Sequence, residues 1–439
     1  LELPNLTLPE LTFWRKTVLQ PLIIPGGILL LVAAFLLQSG FITFSPAAFD
    51  FYYYAVFVSG SLLAWRFHSN RILSILVTLL LAHRALEFFS AGHAVSGPGR
   101  VAFEAIAFLL PLNFLLISYT RERGLTLPAL APRIAVLFFQ SVFVAVLCRP
   151  DQTAGPSLLH PEFVSPFHWT TIPQLAVITF ALSFAALFVR FLFNHKPLES
   201  GLLWALAATF LGMQAQGTGK IGSAYFATAG LLMIASIIEN SYVLAYHDEL
   251  TGLPSRRAFN DALLRLQSPY AIAVVDIDHF KSVNDTYGHD TGDQVLRLVA
   301  GRLSQVGSGG QAYRVGGEEF TILFPGKSAK DVLDPLEALR ITIEASAFRL
   351  RSGEERRRNE PRRSDRRVTP RKGSSARKAQ SKTVDGNLYV TVSLGVAQSG
   401  SATQDVARVI QQADKALYRA KQSGRNRIET ASRSRSRAS

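Results

Sequence analysis

Two short segments of this chain carry acids and glycines from which a metal and phosphate site can be built. The first is Asp276-Ile277-Asp278, which closes the apolar, β-branched run Ala271-Ile272-Ala273-Val274-Val275. Carboxylates at the end of a buried strand suit Mg²⁺, which takes a few hard oxygens from protein and the rest from phosphates and water. The second is Gly316-Gly317-Glu318-Glu319-Phe320, between the strand-like residues 312–315 and 321–324. Strand, Gly-Gly turn and strand read as a hairpin. Glycines at such a turn let backbone approach phosphate oxygens, and the adjacent acids can reach the same metals as Asp276.

The surrounding pattern supplies elements to hold these segments. Asp248-Glu249-Leu250-Thr251-Gly252-Leu253-Pro254 contains a turn, followed by helical spacing through Phe259, Leu263, Leu264 and Leu266. Gly292-Asp293 is read as opening a helix through Leu296 and Val299. Residues 389–393 read as a strand, and 414–425 as a helix with its C-terminal turn. Asp278, Asp285 and Asp414 are read as structural, through capping or internal pairing.

The 439 residues are too many for one compact domain, and the composition is split. Upstream of about residue 240 the chain is rich in Leu, Phe, Ala, Val and Ile with few charges, an all-α polytopic membrane pattern. Eight stretches are candidate spans: 18–38, 49–65, 72–89, 101–119, 134–148, 172–189, 202–214 and 221–238. The fifth and seventh have the shortest apolar cores, so six spans with two buried helices is the alternative. With a cytoplasmic N-terminus, the inside loops carry Arg15, Lys16, Arg66, Arg71, Arg121, Arg123, Arg133, Arg190 and Lys196, against Arg100, Arg149 and Lys220 outside. That asymmetry follows the positive-inside rule and places the C-terminal domain in the cytoplasm. His83, Arg84, Glu87 and Glu104 fall within the spans. They form either an Arg84–Glu87 or Arg84–Glu104 pair that holds the bundle together, or a pocket for an extracytoplasmic or lipid-soluble signal. The last span runs on toward His247 without Gly or Pro, so residues 241–247 are expected to continue it as a signalling helix.

The net charge of +14 is concentrated in an insertion at 351–383 and in the tail 432–439. The insertion has almost no apolar residues and is expected to be disordered. It is either an idle insertion or an arm for anionic lipid, worth roughly 1 kcal/mol per basic residue at the surface; nucleic acid is the weaker reading of this charge. The single Cys148 excludes an intrachain disulfide and a cysteine-based zinc cluster.

Asp276-Ile277-Asp278-His279-Phe280-Lys281, Asn284-Asp285, Gly288-His289, Gly292-Asp293 and Gly316–Phe320 occur in this order. They are joined by the Asp248–Pro254 segment, Val392-Ser393-Leu394-Gly395, Ala416-Leu417-Tyr418, Ala420-Lys421 and Gly424-Arg425-Asn426. Together they resemble the GGDEF diguanylate cyclase family across residues 248–431, apart from the insertion. The resemblance implies an α+β domain, a mostly antiparallel sheet flanked by helices, that joins two GTP into cyclic di-GMP and releases two pyrophosphates. It implies two Mg²⁺ ions per site, with Mn²⁺ as an alternative, held by Asp276, Glu318 and the Ile277 carbonyl. Glu318 would also take the 3′-hydroxyl proton, supported by Glu319. Lys281, Lys421 and Arg425 would neutralise the triphosphate beside Gly316 and Gly317, while Asn284 and Asp293 would bond the guanine edge. His289 either sits close to the nucleotide or stabilises its turn. The reaction needs two facing half-sites and therefore a homodimer.

The sequence departs from the family where an Arg-x-x-Asp inhibitory motif usually precedes the hairpin: Gly307 and Gly310 stand at those positions and no inhibitory site is expected. Two rival readings remain from the sequence. One is a non-catalytic nucleotide-binding receptor, although no hairpin or strand-end acid is missing. The other is a transporter with a regulatory domain, although no inverted repeat with broken helices stands out.

Overall fold

The computed structural model describes residues 20–39, 45–90, 97–149, 170–215, 219–349, 383–384, 387–400 and 406–431. The insertion 351–383 (apart from Thr383), the tail 432–439, and Arg15 and Lys16 lie outside these residues. The chain divides into two units, Leu1–Tyr242 and Val243–Ser439.

The first unit is helical: α1 (Gln20–Gln38), α2 (Pro46–Arg66), α3 (Asn70–Ser90), α4 (Gly97–Tyr119), α5 (Leu127–Leu147), α6 (Gln174–Asn194), α7 (Pro197–Gln214) and α8 (Gly219–Tyr246). Seven helices among the described residues are long and apolar enough to cross a membrane. The stretch expected as the seventh span differs. It forms the 18-residue α7, whose Pro197, Glu199 and Ser200 at one end and Gln214 at the other dilute its apolar character. The fifth expected span, by contrast, extends to 21 residues as α5. In α1 the helical backbone breaks at Ile24, and the Leu22 carbonyl accepts from Trp204 Nε1 (2.6 Å) and Ser200 Oγ (3.1 Å). Backbone released in an apolar surrounding must find such partners.

The helix ends are tied by polar contacts that fix which ends lie together. Buried Glu199, at the start of α7, pairs with Arg190 at the end of α6 (2.7 Å) and Arg71 at the start of α3 (3.8 Å). Arg190 also lies over the Tyr119 ring at the end of α4. Glu122 accepts from the backbone N–H groups of Asn70 and Arg71. A side chain at Gly201 would strike Ser236, so the C-terminal half of α8 packs at this same arginine-rich end. At the opposite end Gln38 donates to the Tyr225 hydroxyl, near the start of α8. Because Glu199 neutralises two partly buried guanidinium groups, Glu199→Gln is expected to lower the unit's stability by about 3 kcal/mol, since breaking a buried pair strands its partners. Thermal unfolding of the purified protein reads this directly; an unchanged midpoint would mean the network contributes nothing.

The second unit is an α+β domain. Its main sheet has the order β2-β3-β1-β7-β8, with β1 (Tyr270–Ile277), β2 (Gln311–Arg314), β3 (Glu319–Pro325), β7 (Val392–Gln398) and β8 (Ile428–Thr430). All pairs are antiparallel except β7 with β8. The helices are α9 (Arg256–Leu264), α10 (Phe280–Tyr287), α11 (His289–Leu303), α12 (Ala329–Glu344) and α13 (Val406–Gln422). A second, small sheet joins β4 (Phe348–Arg349), β5 (Thr383–Val384) and β6 (Asn387–Leu388).

Two expectations shift here. The strand expected at 389–393 begins at Val392, because Thr391 turns to serve Asp278: its carbonyl accepts from the Asp278 N–H and its hydroxyl donates to the Asp278 carboxylate. The helix expected to open at Gly292 opens at His289, following Gly288 with φ +85°, a conformation that favours glycine.

Alternation along β1 sorts its side chains to two faces. Ala271, Ala273, Val275 and Ile277 pack with Leu296, Val299, Phe320 and Leu336. Tyr270, Ile272 and Val274 pack with Phe259, Tyr313, Leu323, Val409 and Leu417. The second face is where α13 lies, and Gly395 of β7 lets it lie close: a Cβ there would overlap the Leu417 nitrogen and the Ala413 carbonyl oxygen of α13.

Candidate active site

Asp276 continues the α13-facing series of β1 and stands in register with Glu319 of β3 on one side and Ser393 of β7 on the other. Directly opposed residues of antiparallel strands project to the same face. Asp276 and Glu319 therefore share the face that α13 crosses, and Lys421 near the end of α13 reaches Asp276 Oδ2 at 2.9 Å. Asp276 is almost wholly buried, and burial raises its carboxyl above the usual range. Lys421 works against that shift, while Glu319 and Asp278 add to it. Glu318 is half-buried and is raised likewise, first by burial and then by the negative charge of Asp276. Asp276, Glu318, Glu319 and Lys421 thus form one electrostatically coupled group with more negative than positive charge. An acid cluster of this kind favours an added cation.

The hairpin between β2 and β3 is closed by Val315 and Gly316 N–H groups donating to the Glu319 carbonyl. A Cβ on Gly316 would crowd Glu319, whereas one on Gly317 would meet nothing, so the turn is open at Gly317. Arg314, the last residue of β2, holds this turn. Its guanidinium donates to the carbonyls of Gly316 (3.3 Å) and Gly317 (2.7 Å) and to Asp248 Oδ1 (2.7 Å). Asp248 also accepts from the Thr251 N–H and hydroxyl. Burial opposes its ionisation, but the Thr251 and Arg314 hydrogen bonds prevail and hold its carboxyl below the usual range. Within the second unit, Ser255 after the Asp248–Pro254 turn donates its N–H to the Tyr246 carbonyl and its Oγ to the Ala245 carbonyl. Reading from sequence missed Arg314; the available signal was a basic residue two positions before Gly-Gly. Arg314→Gln is expected to lower turnover about a hundredfold by releasing the hairpin, because small displacements of positioning groups carry that cost. Steady-state rates beside a thermal midpoint check it, and wild-type turnover in the variant would contradict it.

Asp278 is wholly committed to structure, as its reading predicts. Its carboxylate accepts from Thr391 Oγ1 (2.7 Å), Ser393 Oγ (2.7 Å) and the Asn426 N–H (3.0 Å). These bonds pin the segment after β1 to the loop after α13, where Arg425 (φ +63°) and Asn426 (φ +49°) are left-handed. Asp414 lies on α13, and the Glu319 charge, after burial, raises its carboxyl, so it sits within the field of the acid cluster.

A second group gathers on α10 and α11. Asn284 Oδ1 lies against Gly292, where any Cβ would collide with it, and Asp293 follows at once; both Asn284 and Asp293 are half-buried. Lys281 and His289 are exposed, and neither these two nor Arg425 makes a side-chain contact with the acid group among the described residues. Ile277 is buried by its side chain on the opposite face of the sheet. Gly307 and Gly310 form a tight turn before β2, with Gly310 N–H donating to the Gly307 carbonyl and Ser308 and Gly309 left-handed. A Cβ at Gly310 would press on Phe324, so this turn has no space for a larger residue without displacing it.

Among the described residues no three of His, Cys, Asp and Glu are placed to hold a metal ion together. Two carboxylates, Asp276 and Glu318, fit a Mg²⁺ that takes its remaining oxygens from substrate phosphates and water. The Lys421 ammonium on Asp276 marks where positive charge is held.

A sheet with carboxylates at a strand end and in the facing glycine hairpin is the arrangement of a nucleotidyl cyclase domain. Residues 245–360 and 361–427 match the family model "Diguanylate cyclase, GGDEF domain", and this C-terminal region is a GGDEF domain. The chain is 32% identical over 199 residues to "Response regulator PleD" of Caulobacter vibrioides, covering 44% of this chain and 37% of that protein. It is 34% identical over 208 residues to "Diguanylate cyclase DgcP" of Pseudomonas aeruginosa, covering 45% and 25%. Among solved structures, the coiled coil and GGDEF domain of DgcB from Caulobacter crescentus in complex with c-di-GMP is 30% identical, covering 47% of this chain and 95% of that one, with a TM-score of 0.37. The chain therefore spans well under half the length of these two curated relatives.

Proposed function

We propose that this chain is a membrane-bound diguanylate cyclase that condenses two GTP into cyclic di-GMP, with its helical unit regulating the cytoplasmic domain. The observation that carries the reading is the coupled group of Asp276, Glu318, Glu319 and Lys421 beside the open turn at Gly317.

Asp276 and Glu318 would hold Mg²⁺, with the Ile277 carbonyl as a further oxygen donor. The bound ions would neutralise phosphate charge and polarise the α-phosphate. Lys421 is already in the site and would turn from Asp276 to the triphosphate, joined by Lys281 and Arg425. Gly317 leaves backbone and space for the phosphates. Glu318 would also accept the proton of the attacking 3′-hydroxyl. Asn284 and Asp293 would bond the guanine edge: a carboxylate accepts from its N1–H and N2–H₂, a pair adenine lacks. His289 borders this group on α11. Two copies of the chain face each other so that each 3′-hydroxyl meets the partner nucleotide's α-phosphate, and catalysis is positioning with charge neutralisation.

The charge at the helix ends supports a cytoplasmic catalytic domain. The C-terminal half of α8 lies at the end that holds Arg71, Arg190 and Glu199, the basic end of the bundle. By the positive-inside rule that end is cytoplasmic, whether seven or eight helices cross.

Because no three acids among the described residues are placed to hold a metal together, Mg²⁺ should bind weakly to the protein alone and tightly with nucleotide. Titration of GTP into the full-length protein by calorimetry, with and without Mg²⁺, tests this. The reading expects affinity to fall about tenfold or more without the metal and to be absent for ATP. Equal affinity for ATP and GTP would overturn the guanine assignment.

A further inference from the structure

A cavity of about 380 Å³ opens between α3, α4 and α5 of the helical unit. Its walls are mostly apolar and aromatic, including Phe88 and Val144, and a few polar groups converge on it: Thr78, Arg84, Asn113 and Gln140. Asn113 and Gln140 bond each other in both directions (2.8 and 3.1 Å), tying α4 to α5 across the cavity. Such a volume, apolar with a few directed polar groups, is that of a small-molecule site. Along α3 the lining runs from Thr78 to Phe89, about 16 Å by helical rise, so the cavity is elongated.

The charge at its upper part is Arg84, about two-thirds of the way along α3 and held by Glu87 Oε2 at 2.8 Å. Of the groups expected to cluster there, Glu104 instead pairs with Arg100 (4.0 Å) and does not reach Arg84. Glu87 has a second neighbour, His83 Nε2 at 3.8 Å, and that nitrogen is bonded to Ser223 Oγ on α8 (2.9 Å). Glu87 is thus shared between a cavity arginine and a residue fixed to the helix that runs on to Tyr246.

The geometry points to a binding site for a single-chain amphiphilic carboxylate, its hydrocarbon tail in the α3–α4–α5 cavity and its head on Arg84. Arg84 already takes a carboxylate, so a ligand head replaces Glu87 like for like, with the bidentate fork that guanidinium offers. The elongated, limited volume suits one chain rather than a two-chain lipid. Glu87, once displaced, is left with His83 and so with α8. This assignment needs the helical unit to lie in a membrane but does not need the cyclase reading.

The test is equilibrium binding of radiolabelled dodecanoate to the full chain in nanodiscs of zwitterionic lipid, with dodecanol and phosphatidylglycerol as competitors. Saturable binding of dodecanoate is expected, with dodecanol about tenfold or more weaker. Arg84→Gln should weaken dodecanoate about tenfold and leave dodecanol unchanged. Glu87→Gln should strengthen dodecanoate several-fold, because Arg84 loses its competing carboxylate. Opposite effects of the two substitutions separate ligand recognition from general loss of structure. Equal affinity for acid and alcohol, parallel loss in both variants, or displacement by phosphatidylglycerol as effective as by dodecanoate would each overturn the assignment.

Discussion

Glu318→Gln is expected to lower cyclic di-GMP formation roughly a thousandfold, the scale on which a single group aimed at transition-state charge acts. The same change should raise the thermal midpoint of the metal-free protein, by roughly 2 °C. The two effects share one cause. Burial and the charge of Asp276 raise the Glu318 carboxyl above its ordinary value of 4.5. A folded pKa above the unfolded one gives stability that is complete below the unfolded value and is lost as pH rises through the folded one. At neutral pH the ionised pair therefore weighs against the metal-free fold, and the neutral amide removes that penalty along with the metal ligand. The difference in midpoint between wild type and variant should vanish as pH falls to about 4 and open as pH rises to 7. Midpoints measured across that range, beside turnover at pH 7, check both halves. A variant less stable than wild type at neutral pH would mean Glu318 is held by contacts rather than strained by charge.

Gly395→Ala has the second large effect, and it acts through packing alone. The new methyl group would overlap two backbone atoms of α13, Leu417 N and Ala413 O, which no rotamer change can move away. Helix and sheet must separate, at a cost of about 3 kcal/mol, the upper part of the range for an overpacked core. That corresponds to a fall of roughly 10 °C in the midpoint of a domain this size. Turnover should fall with it, because α13 brings Lys421 to Asp276. Circular dichroism melting and the rate assay give the two readouts; an unchanged midpoint would mean α13 does not rest on β7 at Gly395.

What could be read from the sequence was whatever is local and repeated. The acids Asp276 and Glu318 announced themselves because each sits beside an apolar β-branched run, and the hairpin because Gly-Gly separates two such runs. Asp278 was read apart from Asp276 as a capping or internally paired acid, but its partners Thr391, Ser393 and Asn426 lie more than 110 residues away and are set by the tertiary fold. The short helix α10 was not legible, since its eight residues include Lys281, Ser282, Asn284 and Asp285 and give little apolar periodicity. Arg314 and Gly395 were missed as determinants because their importance is tertiary. One ties Asp248 to the hairpin across 66 residues of chain, and the other makes room for a helix that follows it in sequence. In the helical unit, hydropathy located eight helices but could not show that Glu199 in α7 is buried by pairing with Arg190 and Arg71. Nor could it show that Arg84 prefers Glu87 to Glu104, since that choice depends on where neighbouring helices place their side chains.

The most direct test of the central claim is the fate of GTP given to the purified full-length protein with Mg²⁺. Chromatography of the nucleotides and a coupled pyrophosphate assay should show cyclic di-GMP as product with two pyrophosphates released for each molecule formed, and neither from Asp276→Asn. GTP bound but unchanged by the wild type, or undiminished product from Asp276→Asn, would contradict the account.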